Sequence, residues 1–268
     1  SIDPRFYSEE LKKHTECLVY IPYYSTAGGM AEGQASCPVY YSADYIVIQA
    51  EKYKKFFDSG IPDGKFLVMG SPKFDSIIHK CQNPPMPPAE WADRMKGRKV
   101  YFYNTSIGGM LGNTDAFLKK MRYVFDTFRG RTDACLIWRP HPLMDSTFDS
   151  MRPMYKQFYD ALRRDFIQEG IGIYDDTPDM ERTIAYSDVY IGDSGTSVTS
   201  LFGVAGKPLF IFNNNIHTLP EKDDWRGERI SSPQLNGWGD DRYRVTGNNQ
   251  LWFSEKNDYH YRFYMDLE

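Results

Sequence analysis

Residues 187–208 pass from an apolar Val189-Tyr190-Ile191 through Asp193-Ser194-Gly195-Thr196-Ser197 into a second apolar stretch. A strand, a small-residue turn and a helix start in that order gather backbone amides and hydroxyls at one point. The first N–H groups of a helix lack intrahelical partners and carry partial positive charge, so such a point can hold a phosphate without a lysine. The chemistry that suits it is binding of a phosphorylated or nucleotide ligand. Asp, Ser and Thr are also ordinary N-cap residues, and a capped helix with no ligand is the competing reading.

Ligands of open α/β sheets gather beyond the carboxyl ends of the strands. Three further polar sets directly follow apolar runs. Asn104-Thr105-Ser106, with Ile107-Gly108-Gly109 after it, offers hydroxyls and flexible backbone for a phosphate, or is a plain strand-to-helix loop. Arg139-Pro140-His141-Pro142 encloses a histidine between prolines, which keep its backbone extended and project the ring from the sheet edge. There His141 would donate to a diphosphate oxygen or protonate a leaving phosphate while Arg139 presents a positive fork; alternatively Arg139 pairs with a nearby carboxylate. Asp175-Asp176-Thr177-Pro178-Asp179 holds three acids, yet neighbours on an extended loop point apart, so capping of a helix at Met180 outweighs a metal site, and no metal is expected. Thr177 in this loop is a candidate contact for base or ribose. Lys73, after Gly70-Ser71-Pro72, is either a phosphate contact or a surface lysine. No dinucleotide fingerprint, P-loop, HExxH, nucleophile elbow or kinase signature is present, and no cofactor is expected.

The elements that must position these groups alternate. Apolar runs at 18–22, 45–49 and 66–69, with a helical stretch at 51–59, imply a first parallel sheet. A glycine-bearing segment at 25–34 reads as an exposed, mobile loop. Four prolines in residues 81–90 break regular structure and mark a linker. Strands at 99–103, 134–138, 171–174, 189–191 and 208–212, with helices at 115–129, 151–169, 180–186 and 198–204, make a doubly wound unit. Beyond residue 226, short aromatic runs separated by Asn-Asn and Lys-Asn-Asp turns read as antiparallel hairpins. The expected fold class is therefore α/β, two Rossmann-like parallel-sheet domains with a short antiparallel β tail. Residues 1–80 are expected to form a partial first domain, 81–96 the linker, 97–225 the second domain and 226–268 the tail.

With 268 residues the chain can bury a core without disulfides or metal. Cys17, Cys37, Cys81 and Cys135 form no CxxC pair, which points to reduced thiols and a cytoplasmic setting. No run is long enough to span a membrane, and no signal-peptide pattern opens the chain. A net charge of −4 excludes global attraction to nucleic acid, and the 16% aromatic content sits in core-like runs such as Tyr101-Phe102-Tyr103 rather than a base-stacking surface.

Arg139-Pro140-His141-Pro142, the run from Ser187 to Ser197 and Gly206-Lys207-Pro208 resemble the donor-binding half of the CDP-glycerol glycerophosphotransferase family. The segments 42–49 and 68–75 are similar to those preceding that family's interdomain linker, and the resemblance spans roughly residues 15–215. It implies the GT-B glycosyltransferase architecture. It also implies transfer of glycerol phosphate, or a related polyol phosphate, from a CDP-linked donor to a cell-wall or surface polymer at the inner membrane face. Membrane contact is then expected through parts outside this chain, and no nucleic-acid partner. Asn104, Thr105, Ser106, Arg139, Thr177, Asp193, Ser194, Gly195, Thr196 and Ser197 would bind the donor, and His141 would stabilise the departing CMP. The turn Asp193–Ser197 is one residue longer than the family's Asp-x-Ser-Ser, and residues 15–35 hold no histidine after His14 to act as acceptor base. A diphosphate cradle does not reveal the attached group, so a UDP-sugar glycosyltransferase or epimerase, and a non-catalytic nucleotide-binding scaffold, remain the competing functions.

Overall fold

The computed structural model describes residues 3–23, 36–193 and 197–212, with the backbone of strands at 238–239, 244–245, 249–255 and 258–263. The chain divides into two compact units, residues 1–76 and 77–268. The segment 25–34, read above as a loop, lies outside the described residues.

The first unit holds helices α1 (Ser8–Lys12) and α2 (Val39–Ser42) and strands β1 (Val19–Tyr20), β2 (Tyr45–Ile48) and β3 (Phe66–Val68). The strands pair in parallel in the order β1-β2-β3. Ile46 and Ile48, β-branched residues suited to a pleated surface, are buried with Tyr40, Ala43 and Ile61. Asp44 pins the entry to β2: its carboxylate accepts the Leu18 N–H at 2.6 Å and pairs with Lys12. The boundary between units falls inside helix α3 (Pro72–Gln82).

In the second unit α3 is followed by α4 (Ala89–Met95), so part of the proline-rich stretch read as linker is helical; its prolines precede α4, where a missing N–H costs nothing. Strand β4 (Lys99–Thr105) is followed by α5 (Ile107–Gly112) and α6 (Thr114–Phe128). Then come β5 (Ala134–Pro140), α7 (Met144–Met151), α8 (Pro153–Gln168), β6 (Ile173–Tyr174), α9 (Met180–Tyr186), β7 (Val189–Gly192), α10 (Ser197–Val204) and β8 (Leu209–Phe212). The helix expected at 151–169 is α8, and α7 before it is an addition; Pro153 cannot continue α7 but suits the first turn of α8. Gly108-Gly109, read as loop, lies within α5: the Ser106 side chain caps that helix and outweighs the poor helix propensity of glycine.

Strands β9 (Trp238–Gly239), β10 (Arg244–Val245), β11 (Asn249–Glu255) and β12 (Asp258–Phe263) lie in the tail. The large sheet runs β12-β11-β8-β7-β4-β5-β6, in which β4 to β8 are parallel. β11 pairs antiparallel with β12, as the turn-separated aromatic runs lead one to expect, and antiparallel with β8, which makes the hairpin an extension of the large sheet. A parallel sheet must be covered on both faces. On one, Tyr103, Leu136 and Trp138 meet Phe117, Met121 and Phe125 of α6 and Phe166 of α8; on the other, Val100, Cys135, Ile137 and Ile173 meet Trp91 and Met95 of α4. Each fully buried side chain of this size stabilises by about 1.5–3 kcal/mol, so the two layers fix the sheet. Phe102 and Tyr103 have no exposed surface, which assigns these aromatics to the core.

Candidate functional site

All strands of a parallel sheet end on one side, so register places the predicted groups. Asn104 on β4 is paired with Arg139 on β5 and with Gly192 on β7, and Thr105 is paired with Pro140. His141 follows β5 and donates its N–H to the Thr105 carbonyl at 3.0 Å; Asp193 follows β7. The 104–106, 139–141 and 193 sets therefore share one edge. β5 and β7 flank β4, a separation of about 10 Å at ordinary strand spacing.

Asp193 is the hub of this edge. One of its carboxylate oxygens accepts the Ser106 N–H at 2.9 Å and the Ser106 hydroxyl at 2.6 Å, and the other pairs with the buried Lys120 ammonium of α6. The Tyr190 hydroxyl donates to the Asp193 carbonyl at 3.1 Å. Ser106 Oγ in turn accepts the Gly109 N–H at 2.9 Å, so a single side chain joins two strand ends and caps a helix. A Cβ on Gly109 would stand 2.5 Å from the Asp193 carboxylate, which is why that position must be bare. Tyr103 packs beneath, and burial together with the Asp193 charge drives its phenol pKa well above the ordinary value.

Arg139 takes the second of its two readings. Its guanidinium donates to Asp175 at 2.7 Å and to the Thr177 carbonyl at 2.6 Å, and the residue is buried. The positive fork is thus spent on ordering the 175–177 loop. Asp175 also accepts the Thr177 N–H and hydroxyl and the Thr183 hydroxyl, so the Thr177 side chain faces inward to the carboxylate. Thr105 is fully buried, its hydroxyl accepting from the Trp138 indole at 3.3 Å. Asn104 donates to the Arg139 carbonyl at 3.1 Å, while its own side-chain oxygen is buried with no partner among the described residues. Asp179 caps α9, accepting the Arg182 N–H at 3.2 Å, and pairs with Lys80 at 3.0 Å, as the capping reading held. Among the described residues no cluster of three His, Cys, Asp or Glu side chains could hold a metal.

His141 is exposed. Its Nδ1 accepts the Leu143 N–H at 3.1 Å, so in the neutral ring the proton sits on Nε2, available to an anion. Burial of part of the ring lowers its pKa below the usual imidazole value. A lowered folded-state pKa favours the neutral form; that stabilisation is complete above about pH 6.5 and fades as pH falls through the folded value. His141→Asn keeps an acceptor for Leu143 but does not titrate. The melting-temperature advantage of the wild type over this variant should be constant from pH 7 to 8 and shrink toward pH 5; a pH-independent gap would contradict the assignment.

Ser194, Gly195 and Thr196 and the side chain of Ser197 lie outside the described residues; the backbone of Ser197 begins α10. Lys73, in the first unit, lies over the Tyr23 ring at 3.6 Å. Two important groups escaped the sequence reading. Asp175 lies in a run of acids that suggests only a metal ligand. Lys120 belongs to no motif; its one signal is its place on the helical stripe of Phe117, Met121 and Val124, where a lysine is out of place.

No family model matches the chain, and no curated protein matches its sequence. Solved structures do match in fold. The wall teichoic acid polymerase TagF aligns at 16% identity over 81% of this chain and 53% of its own, with a TM-score of 0.51. A putative UDP-N-acetylglucosamine 2-epimerase from Listeria monocytogenes aligns at 14% identity over 75% and 52%, TM-score 0.52. The UDP-GlcNAc 2-epimerase of Methanocaldococcus jannaschii, in complex with UDP-GlcNAc and UDP, aligns at 14% over 75% and 55%, TM-score 0.51. The chain thus spans about half the length of these proteins. The fold class is α/β of the GT-B type, with parallel sheets of three and five strands.

Proposed function

We propose that the chain is part of a GT-B enzyme acting on a nucleotide-diphosphate-linked donor, and that it transfers glycerol phosphate or a related polyol phosphate from a CDP-linked donor to a cell-wall or surface polymer. The observation that carries this reading is the shared edge at which Ser106, His141 and Asp193 end three adjacent strands. In the transfer, the acceptor hydroxyl oxygen bonds to the phosphorus that bears the polyol, the bridging P–O bond to CMP breaks, and the hydroxyl proton leaves to a general base. The Nε2–H of His141 donates to the departing phosphate, where negative charge grows. Backbone amides and hydroxyls of Ser194, Gly195, Thr196 and Ser197 hold the diphosphate at the start of α10. Arg139, Thr177, Asn104 and Thr105 act behind this surface by fixing the loops. Among the described residues no helix is long and apolar enough to cross a membrane.

Two of the matched folds are epimerases, which favours one second reading, a UDP-sugar enzyme. Calorimetry with CMP, CDP, UMP and UDP, followed by release of CMP from CDP-glycerol, separates them. CDP binding with CMP release supports the proposal, and selective UDP binding transfers it to the alternative. Absence of binding by all four overturns both. His141→Ala should weaken binding of the preferred nucleotide about 10- to 100-fold, the worth of a hydrogen bond to a charged group, with little change in melting.

A further inference from the structure

Lys120 stands on the apolar face of α6, 1% exposed, among residues that pack the sheet. Burial lowers its pKa against the opposing pull of Asp193. Buried ion pairs stabilise poorly, because desolvation offsets their attraction, and an apolar pair of similar volume often serves better. What this pair supplies is direction. By holding one oxygen of Asp193, Lys120 leaves the other aimed at the Ser106 N–H and hydroxyl, and Ser106 passes the constraint to the N–H of Gly109. The β4–α5 connection and Asp193 at the end of β7 become one unit through a side chain from a third element.

We propose that Lys120 is a positioning residue, which locks the Asp193 carboxylate and so keeps the β4–α5 connection and the end of β7 in binding register. The proposal rests on the reading of this edge as a nucleotide site. Lys120 touches no ligand in it and acts through Asp193 and Ser106 alone.

The test compares the wild type, Lys120→Met and Lys120→Met/Asp193→Asn by hydrogen exchange, melting and CDP calorimetry. In Lys120→Met the amides of residues 104–110 should exchange at least tenfold faster while those of 159–166 in α8 hold, and CDP affinity should fall tenfold or more. The double variant, with no stranded carboxylate, should regain melting temperature but keep the fast exchange and the weak affinity. If the single variant does not fold, the double variant carries both readouts against the wild type. Unchanged exchange at 104–110, or recovery of affinity together with melting in the double variant, would reduce the pair to a stability element and overturn the proposal. A wild-type protein that binds neither CDP nor UDP refutes the functional reading instead, and the exchange result then decides the positioning role by itself.

Discussion

Asp175→Ala should lower the melting temperature of the second unit by roughly 10 °C at neutral pH. The carboxylate has no exposed surface and accepts four hydrogen bonds, from Arg139, from the Thr177 N–H and hydroxyl and from the Thr183 hydroxyl. Removing it strands a guanidinium in a residue only 7% exposed. Breaking a buried pair in this way costs about 3–5 kcal/mol, and in a unit of this size each kcal/mol moves the melting point by about 2–4 °C. Because the loss comes from the stranded charge, Asp175→Ala/Arg139→Met should recover most of it. Calorimetric melting decides the matter: a single variant within 2–3 °C of the wild type, by the same scaling, would show that Arg139 finds water or another acceptor.

Asp193→Ala should cost about 3–5 kcal/mol in urea unfolding and, on the proposed reading of the site, abolish CDP binding. It leaves the Lys120 ammonium without its charge partner and removes the acceptor of both Ser106 donors. The pH dependence has a definite sign. Burial already lowers the Lys120 pKa, and loss of Asp193 removes the two influences that raise it. The unfolded chain then binds a proton that the folded chain holds less well, so the variant gains stability as pH rises toward the ordinary lysine value. Its deficit relative to the wild type should narrow between pH 6 and pH 9. A deficit that is flat or grows over that range would mean that Lys120 stays charged and finds a new acceptor.

Much of the fold was legible because strands and helices announce themselves by period and by composition. Runs such as residues 46–48 and 134–138 are apolar along their length, as strands buried on both faces must be, and α6 repeats its apolar residues at helical spacing. Helix α7 is hidden because only Met144, Phe148 and Met151 of its eight residues are apolar, too weak a pattern to separate it from the loop after β5. The helical state of Ile107–Gly112 was hidden for a different reason: glycines argue against a helix locally, and the Ser106 cap that forms it is itself held by a carboxylate far along the chain.

The candidate site shows the same division. Strand ends of a parallel sheet all face one way, so the linear order of apolar runs was enough to set Asn104, Ser106, His141 and Asp193 on a common edge. Which of those groups stay open to a ligand depended on partners that sequence distance conceals. Arg139 could serve a phosphate or a carboxylate equally well by its chemistry, and Asp175, 36 residues on, claims it. Lys120 meets Asp193 across 73 residues. The amino-acid order determined where backbone ends and polar groups would gather, since that follows from period and chain direction; the tertiary structure alone decided which charges neutralise one another, since that is set by distances of a few ångströms in a medium that screens little.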